Sequence, residues 1–402
     1  MTRPGHSALP IVTTLGITQT VAWASSTYLP AILAAPIARD LGLARSTVFA
    51  AFSVSLLVMA ALGPAAGRAI DRAGGRGTLM LSNLVLAAGL VMLGMAQGTP
   101  LLFLSWCVLG AGMALGLYDA AFAALVRVFG NEARKPITGV TLIAGFASTV
   151  GWPLSAALDA QIGWRGACFV WAALHLLVAL PLHWRMLPVV ADLPPVAPAP
   201  APAAAASAPG RERRRSVLLL GVYFATTAFV TSSFAAHLPG LLAAMGAGAA
   251  GAVMAAALLG PAQVAARLVE FGVISRWNLH ALVTARFATG LHPLACMLLI
   301  GFGGPPMLAA AFALMHGAGN GMITIAKGTL PLALFGPAGY GLTQGWLGVA
   351  ARITQAAAPY AFGLVLDGSG PRAALLLSGG VSLVALATLV ALRAAPTRKV
   401  PA

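Results

Sequence analysis

Apolar runs long enough to cross a lipid bilayer occupy most of this chain, recurring from Ile11 to Arg393 with only short polar breaks. A helix rises about 1.5 Å per residue and the hydrocarbon layer is about 30 Å thick, so about 20 apolar residues make one crossing. Along the 402 residues that ruler marks 11–36, 46–67, 78–97, 100–126, 136–159 and 165–185, then 216–244, 249–271, 280–302, 305–330, 338–366 and 372–393. These number as spans one to twelve. They are long and lack the strict alternation of barrel strands, so an all-α membrane protein is expected. Only 8% of the residues are charged, against about a quarter in soluble domains, and 9 acidic side chains are too few to wet a particle of this size. The first run is preceded by a single basic residue, Arg3, and is too long for a signal-peptide core, so it reads as a retained helix.

The formal charge of +15 would suggest a nucleic-acid partner in a soluble chain. Here the basic residues fall in clusters between apolar runs, without interleaved stacking aromatics, and no nucleic-acid partner is expected. They report topology instead. With the N-terminus inside, the inner face holds Arg3, Arg68, Arg72, Arg76, Arg127, Arg134, Lys135, Arg185, Arg211, Arg213, Arg214, Arg215, Arg276, Arg393, Arg398 and Lys399. The outer face holds only Arg39, Arg45, Arg165 and Arg372, while Arg267, Arg286, Lys327 and Arg352 lie in or at the margins of spans. The enrichment of Lys and Arg on cytoplasmic loops then puts both termini in the cytoplasm. The expected location is a bacterial inner membrane, with the lipid bilayer as partner and the chain acting as a monomer.

The stretch from Pro188 to Arg215 is rich in Pro and Ala and ends Arg-Glu-Arg-Arg-Arg, a composition that reads as an extended cytoplasmic tether. It divides the chain into 1–186, a six-helix bundle, a linker at 187–215, and a second six-helix bundle at 216–402. The halves share a pattern. Leu29-Pro30-Ala31-Ile32-Leu33-Ala34-Ala35 in span one matches Leu238-Pro239-Gly240-Leu241-Leu242-Ala243-Ala244 in span seven. Gly63-Pro64-Ala65 recurs as Gly260-Pro261-Ala262, and Gly110-Ala111-Gly112 as Gly317-Ala318-Gly319, each in the corresponding span. Such repeats point to transporter architecture.

The loop after span two reads Gly67-Arg68-Ala69-Ile70-Asp71-Arg72-Ala73-Gly74-Gly75-Arg76, which resembles the G-x-x-x-D-R-x-G-[RK]-[RK] signature of the major facilitator superfamily. Gly75 departs from it, leaving Arg76 alone of the final basic pair. The resemblance spans the whole chain and implies two pseudo-symmetric bundles of six helices, alternating access, and a solute near the bilayer midplane. It also marks Gly67, Asp71, Arg72, Gly74 and Arg76 as gating residues. Asp71 is expected to accept from the N-terminal backbone of a neighbouring helix and to pair with Arg72 or Arg76. More narrowly, Gly112 to Phe122, Gly145 to Pro153 and Gly317 to Gly321 resemble bacterial monocarboxylate-porter relatives. Trp106 stands where drug/proton antiporters usually carry an arginine, and Gly151-Trp152-Pro153 replaces their Gly-Pro-x-x-Gly-Gly element.

An ionisable side chain inside a span is costly unless it faces the bundle interior or water, which makes it a functional candidate. Arg352 is the deepest, with Gly341, Gly345, Gly348 and Pro359 on its face of span eleven and Gln355 beside it. Its guanidinium stays charged and can grip a carboxylate, or it can serve an internal ion pair. Asp119 and Lys327 hold nearly matching places in the repeat, and the resemblance faces their spans across a central cavity, so they form a candidate pair. Lys327 can equally snorkel to the interface. His316, Asn320 and Lys327 form a polar stripe on span ten, Gln19, Trp23, Ser26 and Pro30 one on span one, and Thr226, Ser233 and His237 one on span seven. Such stripes suit ligand contact or interhelical hydrogen bonding. Arg267 and Glu270, three apart, read as a local ion pair at the interface. His175, His280 and His292 read as packing or interface residues, and Cys107, Cys168 and Cys296, without metal-type spacing, as packing.

No zinc, diphosphate or nucleophile-elbow motif occurs, and Gly246 to Gly251 fits a dinucleotide pattern only by letter because it follows an apolar helix instead of a strand. No enzyme activity, metal or cofactor is expected. The expected function is secondary active transport of a small organic anion such as a monocarboxylate, coupled to protons, with efflux of a neutral or cationic compound as the alternative.

Overall fold

The computed structural model describes residues 8–189, 210–277 and 279–392, and among them the ordered elements are helices. Ala8–Asp40, Arg45–Ala73, Gly75–Gly94, Ala281–Phe302 and Pro306–Phe335 are each of single-crossing length. Three further stretches are too long for one crossing. Thr99–Met186 turns at Gly130–Ala133 and at Gly163, Gly210–Gly272 turns at Gly246 to Gly248, and Tyr340–Ala391 turns at Gly370. The described residues thus make twelve passes. Gly163, Gly246 and Gly370 have φ of 74°, 114° and 85°, the left-handed region that glycine enters without steric cost, so each lets the chain reverse where the apolar runs end.

Two compact units result: Met1–Val196 together with Gly339–Ala356, and Ala197–Ala338 together with Ala357–Ala402. The core of the first contains Leu29, Leu33, Leu90, Trp106, Leu109 and Trp171, with Ala356 packed against it. That of the second contains Phe234, Leu238, Leu299, Phe312 and Phe362. Both are turned inside out relative to a soluble protein. Met307 is 81% and Leu177 75% exposed, while Gln19 and His175 are fully buried. An apolar exterior of this kind requires lipid.

Inside the first unit a chain of side-chain hydrogen bonds links spans one, three and six. Thr18 Oγ1 meets His183 Nε2 at 2.8 Å, His183 Nδ1 meets Asn83 Nδ2 at 2.8 Å, Asn83 Oδ1 meets His175 Nδ1 at 3.0 Å, and His175 Nε2 meets Ser25 Oγ at 2.8 Å. On a regular helix His175 and His183 would point about 80° apart. A π turn over His175–Ala179 absorbs one residue and brings both imidazoles onto the face that meets Asn83.

Several expectations change here. Span one is two helices, Ala8–Ser25 and Leu29–Asp40, because Pro30 has no N–H to give Ser26 and the Ser26 hydroxyl instead bonds Ala22 O. Span four breaks at Leu117, whose backbone is extended, and span five at Gly145 and Phe146. Span seven, with the matching Leu238-Pro239, continues as helix through the proline. The basic run Arg211 to Arg215 is not extended but forms the first turns of Gly210–Leu242, since Arg and Glu favour helix once the proline-rich stretch is past. Residues 190–209 of the tether, Arg3, Arg393, Arg398 and Lys399 lie outside the described residues.

Candidate functional site

In the first unit, span two and the start of the Tyr340–Ala391 helix run against each other along glycines. A Cβ on Gly67 would collide with Gly341 O, and a Cβ on Gly345 would lie 2.6 Å from Gly63 O. Gly341 and Gly345 therefore allow close backbone approach, while Gly348 leaves room for the Asp119 carboxylate. That approach brings Asp71 to the helix N-terminus, where Oδ1 accepts from Gly341 N and Oδ2 from Leu342 N, both at 2.8 Å. These are orphan donors of a first helical turn, and a carboxylate there also meets the positive end of the helix dipole.

Among the described residues no ion pair joins Asp71 to Arg72 or to Arg76, the pairing expected from the sequence. Arg127 of span four is the cation whose charge acts on Asp71. Arg72 is exposed and Arg76 half-buried. Gly74 has φ of 72° and its N–H closes the preceding helix on Ile70 O, so its role here is to turn the chain.

About three helical turns further along the same helix stands Arg352. Its Nη2 donates to Asp119 Oδ2 at 3.3 Å and its Nη1 to Gln355 Oε1 at 2.7 Å. Gln344 Nε2 completes the cluster by donating to Asp119 Oδ1 at 3.1 Å. Arg352 Nε is buried and has no acceptor among the described residues. Met59, Gly63, Ala114, Gly345 and Gly348 wall a small recess around the pair. Asp119 is placed there by the break at Leu117, which makes it a first-turn residue of Tyr118–Phe129.

Gln19 and Trp23 lie beside that break. Gln19 Nε2 donates to Gly116 O, the last residue before it, and Gln19 Oε1 is buried without a donor among the described residues. The Trp23 ring stands 4.9 Å from that of Tyr118 and 6.0 Å from that of Tyr28, its Nε1 buried without an acceptor among the described residues. Tyr118 stacks on Phe122 at 5.1 Å, and Tyr28 meets Trp152 edge-on at 5.8 Å. The three broken spans of this unit thus each contribute aromatics to one cluster. Pro30, expected on the Gln19 stripe, belongs to the next helix.

The remaining candidates lie in the second unit. His316 is buried, its Nδ1 2.8 Å from His292 Nδ1, between the rings of Phe234 and Phe312. Asn320 Oδ1 accepts from Thr231 Oγ1 at 2.9 Å. His237 Nε2 donates to Pro359 O at 2.9 Å, and Ser233 Oγ to Ala358 O at 3.4 Å. The Thr226 hydroxyl turns back onto Val222 O. Lys327 stands 5.8 Å over the Phe224 ring. Arg267 and Glu270 are buried within the protein, with Arg267 Nε donating to Gly321 O at 3.3 Å. His280 caps the Ala281–Phe302 helix by accepting from Leu282 N.

Sequence reasoning had no route to the Asp119–Arg352 pair, because repeat position aligned Asp119 with Lys327 instead. Gln344, Tyr28, Tyr118 and Trp152 were also missed as site residues. Tyr118 carried a usable signal, a tyrosine directly before an intramembrane aspartate.

The sequence profile described as Major Facilitator Superfamily matches residues 15–331. An uncharacterized 38 kDa protein of Thermoproteus tenax is 28% identical over 368 residues, covering 90% of each chain. An MFS-type efflux pump of Mycolicibacterium smegmatis is 31% identical over 209 residues, 51% of this chain and 47% of that protein. Among solved structures, the human organic anion transporter MFSD10 (TETRAN) superposes with a TM-score of 0.72 at 16% identity, covering 96% of this chain and 100% of that one. A variant of the E. coli fucose:proton symporter FucP gives a TM-score of 0.70 at 15% identity, over 96% and 99%.

Proposed function

The chain belongs to the major facilitator superfamily, and from that premise we propose that it carries a small organic anion, such as a monocarboxylate, across a bacterial inner membrane by proton-coupled alternating access. It is a multi-pass membrane transporter and not an enzyme. The observation that carries the anion reading is the unfilled edge of the Arg352 guanidinium. A guanidinium has five N–H donors, and one whose buried Nε lacks an acceptor among the described residues is set to take a carboxylate side-on.

The chemistry follows from the pairing. With no solute, Asp119 holds one end of Arg352 through Nη2. A solute carboxylate that takes the guanidinium displaces Asp119, which is left a half-buried anion facing Gln344. Binding a proton removes that cost, so solute and proton load together. In this reading Asp71 is the gate, since its clamp on Gly341 and Leu342 must release for the start of the helix to move. Both termini face the cytoplasm by the distribution of basic residues.

Uptake of radiolabelled short-chain acids into proteoliposomes under an imposed proton gradient tests this. Wild type is expected to concentrate an acid, Arg352→Ala to lose this, and Asp119→Asn to lose the dependence on the proton gradient. Acid uptake by Arg352→Ala at the wild-type rate would refute the grip. The relative that is an efflux pump favours a second reading, export of a neutral or cationic compound with Asp119 as its contact.

A further inference from the structure

We propose that the transported anion carries an aromatic ring with a hydroxyl on it, the ring held by Trp23 and Tyr118, the hydroxyl bridging Gln19 and Trp23, and the carboxylate on Arg352. The inference rests on the organic-anion reading and narrows its solute class. Trp23 and Tyr118 come together only because spans one and four both break at this level, and Tyr118 is the residue before Asp119, so ring subsite and ion pair share consecutive residues. A short aliphatic acid would leave these rings unused.

The two unsatisfied atoms specify more. Among the described residues Gln19 Oε1 is an acceptor lacking a donor, and Trp23 Nε1 a donor lacking an acceptor. They lie four residues apart on one helix face, about 6 Å along the axis. Gln19 is 1% exposed and its amide nitrogen is already committed to Gly116 O, which fixes the orphaned oxygen in place. Two buried polar atoms of opposite sense on one helix face invite a group that can serve both. A hydroxyl does so alone, donating to one and accepting from the other. A bare ring satisfies neither, and an aryl amine offers only a poor acceptor.

Isothermal titration of the full-length protein in nanodiscs with 4-hydroxybenzoate, benzoate, phenol and lactate tests the assignment, and the wild-type series needs no variant. We expect 4-hydroxybenzoate to bind at least tenfold more tightly than benzoate, and benzoate more tightly than lactate. Trp23→Phe, which keeps a ring but removes the N–H, should bring 4-hydroxybenzoate down to the affinity of benzoate. Arg352→Ala should weaken all three acids. If lactate binds as tightly as the aryl acids in an Arg352-dependent way, and Trp23→Phe changes nothing, the aromatic assignment is overturned and the organic-anion reading stands. If phenol matches 4-hydroxybenzoate and Arg352→Ala has no effect, both fall.

Discussion

Replacing Asp71 by Asn keeps the size of the side chain and removes its charge, which isolates what the carboxylate does at the start of the Tyr340–Ala391 helix. In the wild type both oxygens accept from backbone N–H groups at 2.8 Å. A hydrogen bond to a charged group contributes about 1.5–3 kcal/mol and a neutral one about 1. Asn can keep one bond, downgraded to neutral, but its amide nitrogen faces the second N–H as donor against donor. Partial burial of Asp71 trims the loss, which comes to about 2–3 kcal/mol in the clamp. That corresponds to about a 30- to 150-fold shift in any equilibrium that opens it. Hydrogen exchange in nanodiscs reads this directly, as the amides of Gly341 and Leu342 should exchange faster by about that factor while those of the Ala281–Phe302 helix do not change. Transport should fall with membrane insertion intact. Arg72→Ala, which removes a side chain Asp71 does not pair with, should leave the exchange as it was. Unchanged protection in Asp71→Asn, together with wild-type uptake, would refute the idea that this carboxylate holds the helix.

Gly345→Ala places a methyl 2.6 Å from Gly63 O and should cost about 1–3 kcal/mol by overpacking, seen as a lower thermal midpoint in detergent; an unshifted midpoint would mean the helices separate freely. Arg352→Ala alone strands the Asp119 charge, so it should be less stable than the Arg352→Ala/Asp119→Ala double variant by about 2–3 kcal/mol, a little below the fully buried range because both side chains retain some exposure. Additive losses in that cycle would deny the coupling. Asn83→Ala leaves His175 Nδ1 short of its partner inside the first unit, while His183 Nδ1 keeps Leu79 O at 3.3 Å, so the cost should be about 1–3 kcal/mol; calorimetric unfolding that matches wild type would show water filling the gap. Asp40→Ala breaks an ion pair to Arg165 whose side chains are 47% and 36% exposed, and should shift stability by under about 1 kcal/mol.

Legibility in this chain follows the range of the interaction concerned. The number of crossings and their approximate limits could be read directly, since a run such as 78–97 is either long enough for the bilayer or it is not. The turning points at Gly163, Gly246 and Gly370 sit in the gaps between those runs for a reason equally local, the backbone freedom of glycine. The breaks within spans were not legible. Leu-Pro occurs in spans one and seven alike, yet only span one stops there, where Ser26 has an alternative partner for its hydroxyl. A π turn between His175 and His183 likewise leaves no mark that periodicity detects, because periodicity assumes the pitch is constant.

The amino-acid sequence by itself determined that the polypeptide is a twelve-pass helical membrane protein and that Arg352 and Asp119 fall within its apolar runs. Both depend on the free energy of single segments in lipid, which is a sum over neighbours in the chain. Only the tertiary structure decided that these two residues answer each other, that Asp71 closes on backbone instead of on an arginine, and that Trp23 meets Tyr118. Helical spacing says which face a side chain occupies but not which helix lies across from it, and that choice is made by packing between segments far apart in sequence.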